Sequence, residues 1–126
     1  MPDEDRMRAA VHAYVAAFDA GSLEQVAALY APTATLEDPI GTPLVEGIGA
    51  IKKFYSAPME NGTRLVLHEP VRLAGDAAAF AFTVLATVDG KDIEVDVIDT
   101  FRFNEDNQIV EMKAFWGPAN MRVGGA

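Results

Sequence analysis

The run Ile93–Phe103 alternates, and one acidic residue falls on its apolar side. Ile93, Val95, Val97, Asp99, Phe101 and Phe103 share one face of a strand; Asp92, Glu94, Asp96, Ile98, Thr100 and Arg102 share the other. A carboxylate among aliphatic and aromatic neighbours is costly unless it is paired or neutral. No Lys or Arg stands on that strand face. Burial then favours the protonated acid, which can donate a hydrogen bond. The plain alternative is an Asp at a bulge, turned outward. Asp38 repeats the anomaly: it follows Ala34 and Leu36 on one face of a short strand and precedes Pro39. At a strand end facing a cavity it could act as a base, or it could simply start a turn.

Phenols complete the set. Tyr14 lies on a helical stripe with Met7, Val11, Val15 and Phe18, and a buried tyrosine hydroxyl usually finds a partner. Tyr30 and Tyr55, the other two tyrosines of the chain, also fall on inward faces. Two carboxyl groups and buried phenols in an apolar surrounding suit proton transfer beside a carbonyl in a water-poor site. Other chemistries lack their residues. There is no Cys, so no thiolate and no disulfide. The two histidines, His12 and His68, have no carboxylate at ligand spacing, which makes a metal site unsupported. His12 is expected to face solvent. Neither G-x-S-x-G nor a glycine-rich phosphate loop occurs.

Helices then strands must position these groups. Asp3, Glu4 and Asp5 suit the start of a first helix, and Gly21 its end. Ser22-Leu23-Glu24-Gln25 reads as a capping box for a second helix, with Leu23, Val26, Ala27 and Tyr30 inward and Pro32 as its stop. A strand over 33–38, a rigid loop over 39–43 and a third helix over 47–55 follow. Further strands are expected over 63–68, 71–74, 77–88, 93–103 and 108–117, with Asp89-Gly90 as a hairpin turn. That order predicts one α+β domain over residues 1–126, three N-terminal helices packed on a curved, mainly antiparallel sheet.

Composition narrows the partners. A chain of 126 residues, 50% of them apolar, can bury a real core. A net charge of −9 argues against nucleic acid, and leaves neutral substrates open. The N-terminus lacks a basic and apolar leader, and no long apolar run could span a membrane, so a soluble cytoplasmic protein is expected. Leu85 and Ile109 are expected on the outer face of the sheet, a face that must meet something.

Tyr14 in HAYVAAFDAGS, Asp38 in LEDPIG, Phe54-Tyr55, Asp99 in DVIDTFRF and Ala114-Phe115-Trp116-Gly117 together resemble the bacterial Δ5-3-ketosteroid isomerases. The resemblance covers nearly the whole chain. It implies the cone-shaped nuclear-transport-factor-2-like fold, a homodimer and a reaction without cofactor or metal. It implies that Asp38 carries a proton from C4 to C6 of a neutral steroid, while Tyr14 and protonated Asp99 donate hydrogen bonds to the C3 oxygen. Tyr30 and Tyr55 would extend the network behind Tyr14. Phe54, Val84, Phe101, Phe103, Met112 and Trp116 would wall the steroid pocket. Rival readings are a polyketide cyclase or epoxide hydrolase on the same fold, and a steroid- or lipid-binding module without activity.

Overall fold

The computed structural model describes residues 2–124. Helix α1 (Glu4–Asp19) starts at Asp3, whose Oδ1 accepts from the backbone N–H of Asp5 at 2.8 Å and of Arg6 at 3.3 Å. A side-chain cap of this kind is worth about 1 kcal/mol. Gly21, at φ +60°, turns the chain out of the helix. Ser22 then caps α2 (Leu23–Ala27) through Oγ, which accepts from Gln25 N at 3.1 Å. This second helix is shorter than expected. Tyr30 lies outside it and opens strand β1 (Tyr30–Glu37). Pro32, expected to end the helix, sits inside β1, where the ladder to its neighbour shifts register between Tyr30 and Thr35. Proline has no N–H for that ladder.

A two-residue strand β2 (Val45–Glu46), not anticipated from the sequence, pairs with β1. Helix α3 (Ile48–Glu60) runs five residues past its expected end at Tyr55 and contains Pro58. Its last turn closes on backbone bonds from Asn61 to Ala57 and from Thr63 to Pro58, both 3.0 Å. Strand β3 (Arg64–Ala74) joins what reads in the sequence as two strands; Glu69-Pro70 makes an irregularity between His68 and Arg72 rather than a break. Strands β4 (Ala77–Val88), β5 (Lys91–Phe103) and β6 (Ile109–Phe115) follow. After a 3-10 turn at Pro118–Asn120, the tail adds strand β7 (Met121–Gly124), a segment with no distinctive strand pattern.

The strand order is β2-β1-β6-β5-β4-β3, with β7 pairing the first half of β5. All pairings are antiparallel except β1 with β6. The helices cover one face. Met7, Val11, Tyr14 and Phe18 of α1, and Ile51 and Tyr55 of α3, bury against Phe80, Phe82, Val97, Phe101 and Met112 of the sheet. Burial along β5 follows the alternation: Val95, Val97, Asp99, Phe101 and Phe103 are buried, while Glu94, Asp96, Ile98 and Arg102 are exposed. Ile109 departs from its expected place on the outer face. A register shift between Arg102 and Phe103 turns it inward, and it is fully buried. Leu85 is exposed on the outer face as expected.

Strand β7 is held by charge from the outer side. Arg122 donates from Nη1 to Asp96 Oδ2 at 2.7 Å and from Nη2 to Glu94 Oε1 at 3.1 Å. Thr83 Oγ1 donates to Asp96 Oδ1 at 2.9 Å. The bonds from Arg122, then that from Thr83, hold the Asp96 carboxyl at about 2, below the usual carboxylate range. The fully charged clamp is therefore in place above the ordinary carboxylate pKa and is lost as pH falls toward about 2. Arg122→Ala is expected to speed amide hydrogen exchange in β7 and in the paired half of β5, with little change in the rest of β5. Unchanged exchange in β7 would show that backbone pairing alone holds it.

Candidate active site

Three elements bring the singled-out groups to one cavity of about 290 Å3, lined by Tyr14, Phe18, Asp38, Phe54, Tyr55, Pro58, Thr63, Leu65, Phe82, Val84, Val95, Val97, Asp99 and Trp116. Tyr14 comes from the buried stripe of α1. Asp99 comes from the middle of β5, opposite Phe80 on one side and Ala114 on the other. Asp38 follows the last residue of β1 and opens a tight loop. That loop is tied to β6 by Ile40 N donating to Ala114 O at 2.9 Å. Gly41 N also donates to Glu37 Oε2 at 2.7 Å, and Gly41 has φ +99°, a backbone region that favours glycine. One β6 residue thus pairs with Asp99 and anchors the loop that carries Asp38.

Asp99 is 1% exposed, and neither carboxyl oxygen has a hydrogen-bond partner among the described residues. Burial, reinforced by the nearby charge of Asp38, pushes its carboxyl well above the usual range. The protonated acid is thereby favoured, and its O–H is free to donate into the cavity. Asp38 is also raised by burial, against the opposing effect of a hydrogen bond from Trp116. That bond runs from Nε1 to Oδ1 at 2.8 Å, and Asp38 Oδ2 has no hydrogen-bond partner among the described residues. Asp38 is thus a carboxylate of elevated basicity held at a fixed angle.

The phenols form a chain. The Tyr14 and Tyr55 hydroxyls lie 3.1 Å apart, and those of Tyr55 and Tyr30 lie 2.6 Å apart. Burial is the main cause that raises all three well above the ordinary phenol value, so all three remain neutral donors. Edge-on contacts with Phe18, Phe80, Phe101 and Tyr55, at 5.2 to 6.2 Å between centroids, fix the Tyr14 ring. Tyr30 does not reach the cavity; it stands behind Tyr55.

The expected pocket walls divide. Phe54, Val84 and Trp116 line the cavity. Phe101, Phe103 and Met112 do not: they are buried one layer behind it, with Phe101 packed against the Tyr14 ring. Phe101 and Phe103 share the Asp99 face but lie beyond the closed end. Phe18, Leu65, Phe82, Val95 and Val97 are walls not named from the sequence as such. Val95 and Val97 carried a signal, since they alternate with Asp99; Pro58 and Thr63 carried none. The Trp116 bond to Asp38 spans 78 residues of sequence and had no local signature. His12 is half-exposed and faces Glu69 at 3.3 Å. Among the described residues no group of His, Asp and Glu is arranged to hold a metal ion, and no helix is long and apolar enough to cross a membrane.

Residues 11–112 match the SnoaL-like domain family. The chain is 43% identical over 119 residues to the steroid Delta-isomerase of Nocardioides simplex, covering 93% of this chain and 94% of that protein. Its fold superposes at TM-score 0.92 on an epoxide hydrolase/cyclase-like enzyme, SalBIII, described for pyran ring formation in the polyether salinomycin. That alignment covers 98% of this chain and 100% of the other at 21% identity, a likeness of fold.

The Trp116 bond makes a sign that can be measured. It stabilises the carboxylate form of Asp38, so its loss leaves the effect of burial unopposed. Trp116→Phe is expected to move the Asp38 titration, followed by carboxyl-carbon NMR, to higher pH than in the parent protein. A shift to lower pH would mean that water entering the gap solvates the charge better than the indole did.

Proposed function

The chain belongs to the SnoaL-like domain family and groups within it with the steroid Δ-isomerases, and on that premise we propose that it moves the double bond of a Δ5-3-ketosteroid into conjugation with the ketone. One observation carries the reading: a buried carboxyl with both oxygens unpartnered among the described residues shares an apolar cavity with a phenol and a second carboxyl that ionises more readily. A binding module could use the two donors to hold a ligand oxygen, but it would not need a base facing the same cavity.

The reaction is a proton relay in which the base ends as it began. The substrate ketone oxygen sits against Tyr14 and Asp99. Asp38 takes a proton from C4, and the C4–H electron pair moves into the ring system as a dienolate with its charge on the C3 oxygen. The two O–H groups meet that growing charge, and preorganised donors of this kind each contribute about 10²–10³ in rate. Asp38, now protonated, returns the proton to C6, which gives the conjugated enone. Atoms and charges balance with no redox partner, metal or cofactor. Tyr55 and Tyr30 act through Tyr14: their hydroxyls hold its orientation and raise its strength as a donor.

Adding a Δ5-3-ketosteroid is expected to raise the ultraviolet absorbance of a conjugated enone. A cyclase or a carrier would leave the spectrum flat, and that result defeats the proposal. Asp38→Asn should lower kcat by at least about 10²-fold, as general-base contributions run ~10²–10⁴. Tyr14→Phe and Asp99→Leu should each lower kcat more than they weaken binding. Asp99→Asn should be milder than Asp99→Leu, because an amide still donates.

The same reading includes a homodimer built on the outer face of the sheet. Val66, Leu85, Ile98 and Phe115 stand there 37 to 49% exposed, with Ile98 and Phe115 paired side by side. Sedimentation should find a dimer that Ile98→Asp dissociates. A wild-type monomer at micromolar concentration would rule this out.

A further inference from the structure

The cavity has a closed end and an open direction. Asp99, Val97 and Val95 line it along β5, and Phe82 and Val84 line it along β4, whereas Phe101 and Phe103 do not. It therefore runs from the carboxyl group toward the start of β5 and the end of β4. Residues directly opposite in antiparallel strands project on the same face. Val84 pairs with Val95, and Val95 pairs with Met121. One step further out, Ala86 pairs with Ile93, and Ile93 with Val123. Two apolar rungs thus cross β4, β5 and β7 on the concave face. The first rung is part of the cavity wall through Val84 and Val95. The second lies beyond it, with Ile93 six residues from Asp99, about 20 Å along the strand.

The outermost member of each rung is exposed: Met121 is 38% and Val123 is 60% exposed. Both belong to a strand whose other face is fixed by the Arg122 clamp to Asp96 and Glu94. A strand pinned by charge on one side and apolar on the side that continues a ligand cavity is a built wall. The next pair outward, Val88 with Lys91, ends the purely apolar surface.

We propose that β7 is the specificity wall for the end of the substrate remote from the ketone, with Met121 and Val123 taking an aliphatic side chain carried by the last ring. The inference rests on the isomerase reading, since it is the ketone held at Tyr14 and Asp99 that directs the other end of the molecule along these rungs. The substrate class it names is the 3-ketosteroid that still bears the full sterol side chain, in preference to one with only a ketone at that position.

The test compares kcat/KM for two Δ5-3-ketosteroids, one with the full sterol side chain and one with a ketone in its place. Val123→Asp and Met121→Ser are expected to lower the ratio of long to compact substrate by roughly three- to tenfold, chiefly through KM, because they remove apolar contact with the tail alone. Val123→Thr keeps the shape and strand preference of valine, and should lower the ratio less than Val123→Asp. Thermal melting checks that each variant folds. If the ratio stays at its wild-type value in Val123→Asp and Val123→Thr, β7 is not the wall and this inference falls while the isomerase reading stands. If the wild-type protein isomerises neither steroid, the isomerase reading itself fails and takes the inference with it.

Discussion

A neutral carboxyl group with no hydrogen-bond partner among the described residues is the constraint that organises this molecule. The core could have closed over an aliphatic residue at position 99 at lower cost, since an unpaired polar group in an apolar setting is worth several kcal/mol against folding. What surrounds Asp99 keeps that cost from being relieved. Phe80 and Ala114 are its strand neighbours, and neither side chain can bond it. The charge that acts on it is that of Asp38, of the same sign, which reinforces the protonated form rather than neutralising it. The site is thus built by withholding partners as much as by supplying them.

The remaining groups are held by tertiary contacts that reinforce one another. Asp38 is fixed from one side by the Trp116 indole and from below by the Ile40 bond to Ala114. Tyr14 is fixed by four aromatic edges and by Tyr55. The anchors come from α1, α3, β4, β5 and the end of β6, so the base and the donors are held to one frame. The parallel pairing of β1 with β6 brings the end of β1, and with it Asp38, beside the strand that flanks Asp99.

Much of this was legible because strands alternate. The period of two in Ile93–Phe103 placed Asp99 inward and Asp96 outward, as found. The stripe of α1 placed Tyr14 in the core, and the Asp89-Gly90 turn joined β4 to β5. What escaped had physical reasons. Tyr30 sits where a helix pattern and a strand pattern overlap, and five helical residues give too little periodicity to decide. Strands β2 and β7 are two and four residues long and owe their form to the strands they join. Ile109 was turned inward by a bulge, which shifts a face without leaving a mark in composition. Phe101, Phe103 and Met112 point toward the core, but periodicity reports a face and not the distance to a cavity. Trp116 needed the fold to meet Asp38.

The tyrosine chain has a direction as well as a length. Three hydroxyls joined by two hydrogen bonds can be ordered in three ways, one of which has Tyr14 and Tyr30 both donating to Tyr55 and leaves the Tyr55 hydrogen without a partner among the described residues. In a second order Tyr30 donates to Tyr55, Tyr55 to Tyr14, and the last hydrogen points into the cavity. In the third, both of those bonds reverse, and the Tyr30 hydrogen has no further partner among the described residues. An unmet buried donor costs about 1–3 kcal/mol. The chain therefore has a polarity built in at its far end: the favoured order sends the Tyr14 hydrogen into the cavity. A guest that presents a bare oxygen lone pair finds all three hydroxyls already aligned, whereas one that donates can use only the second lone pair of Tyr14 and leaves its outward hydrogen unmet.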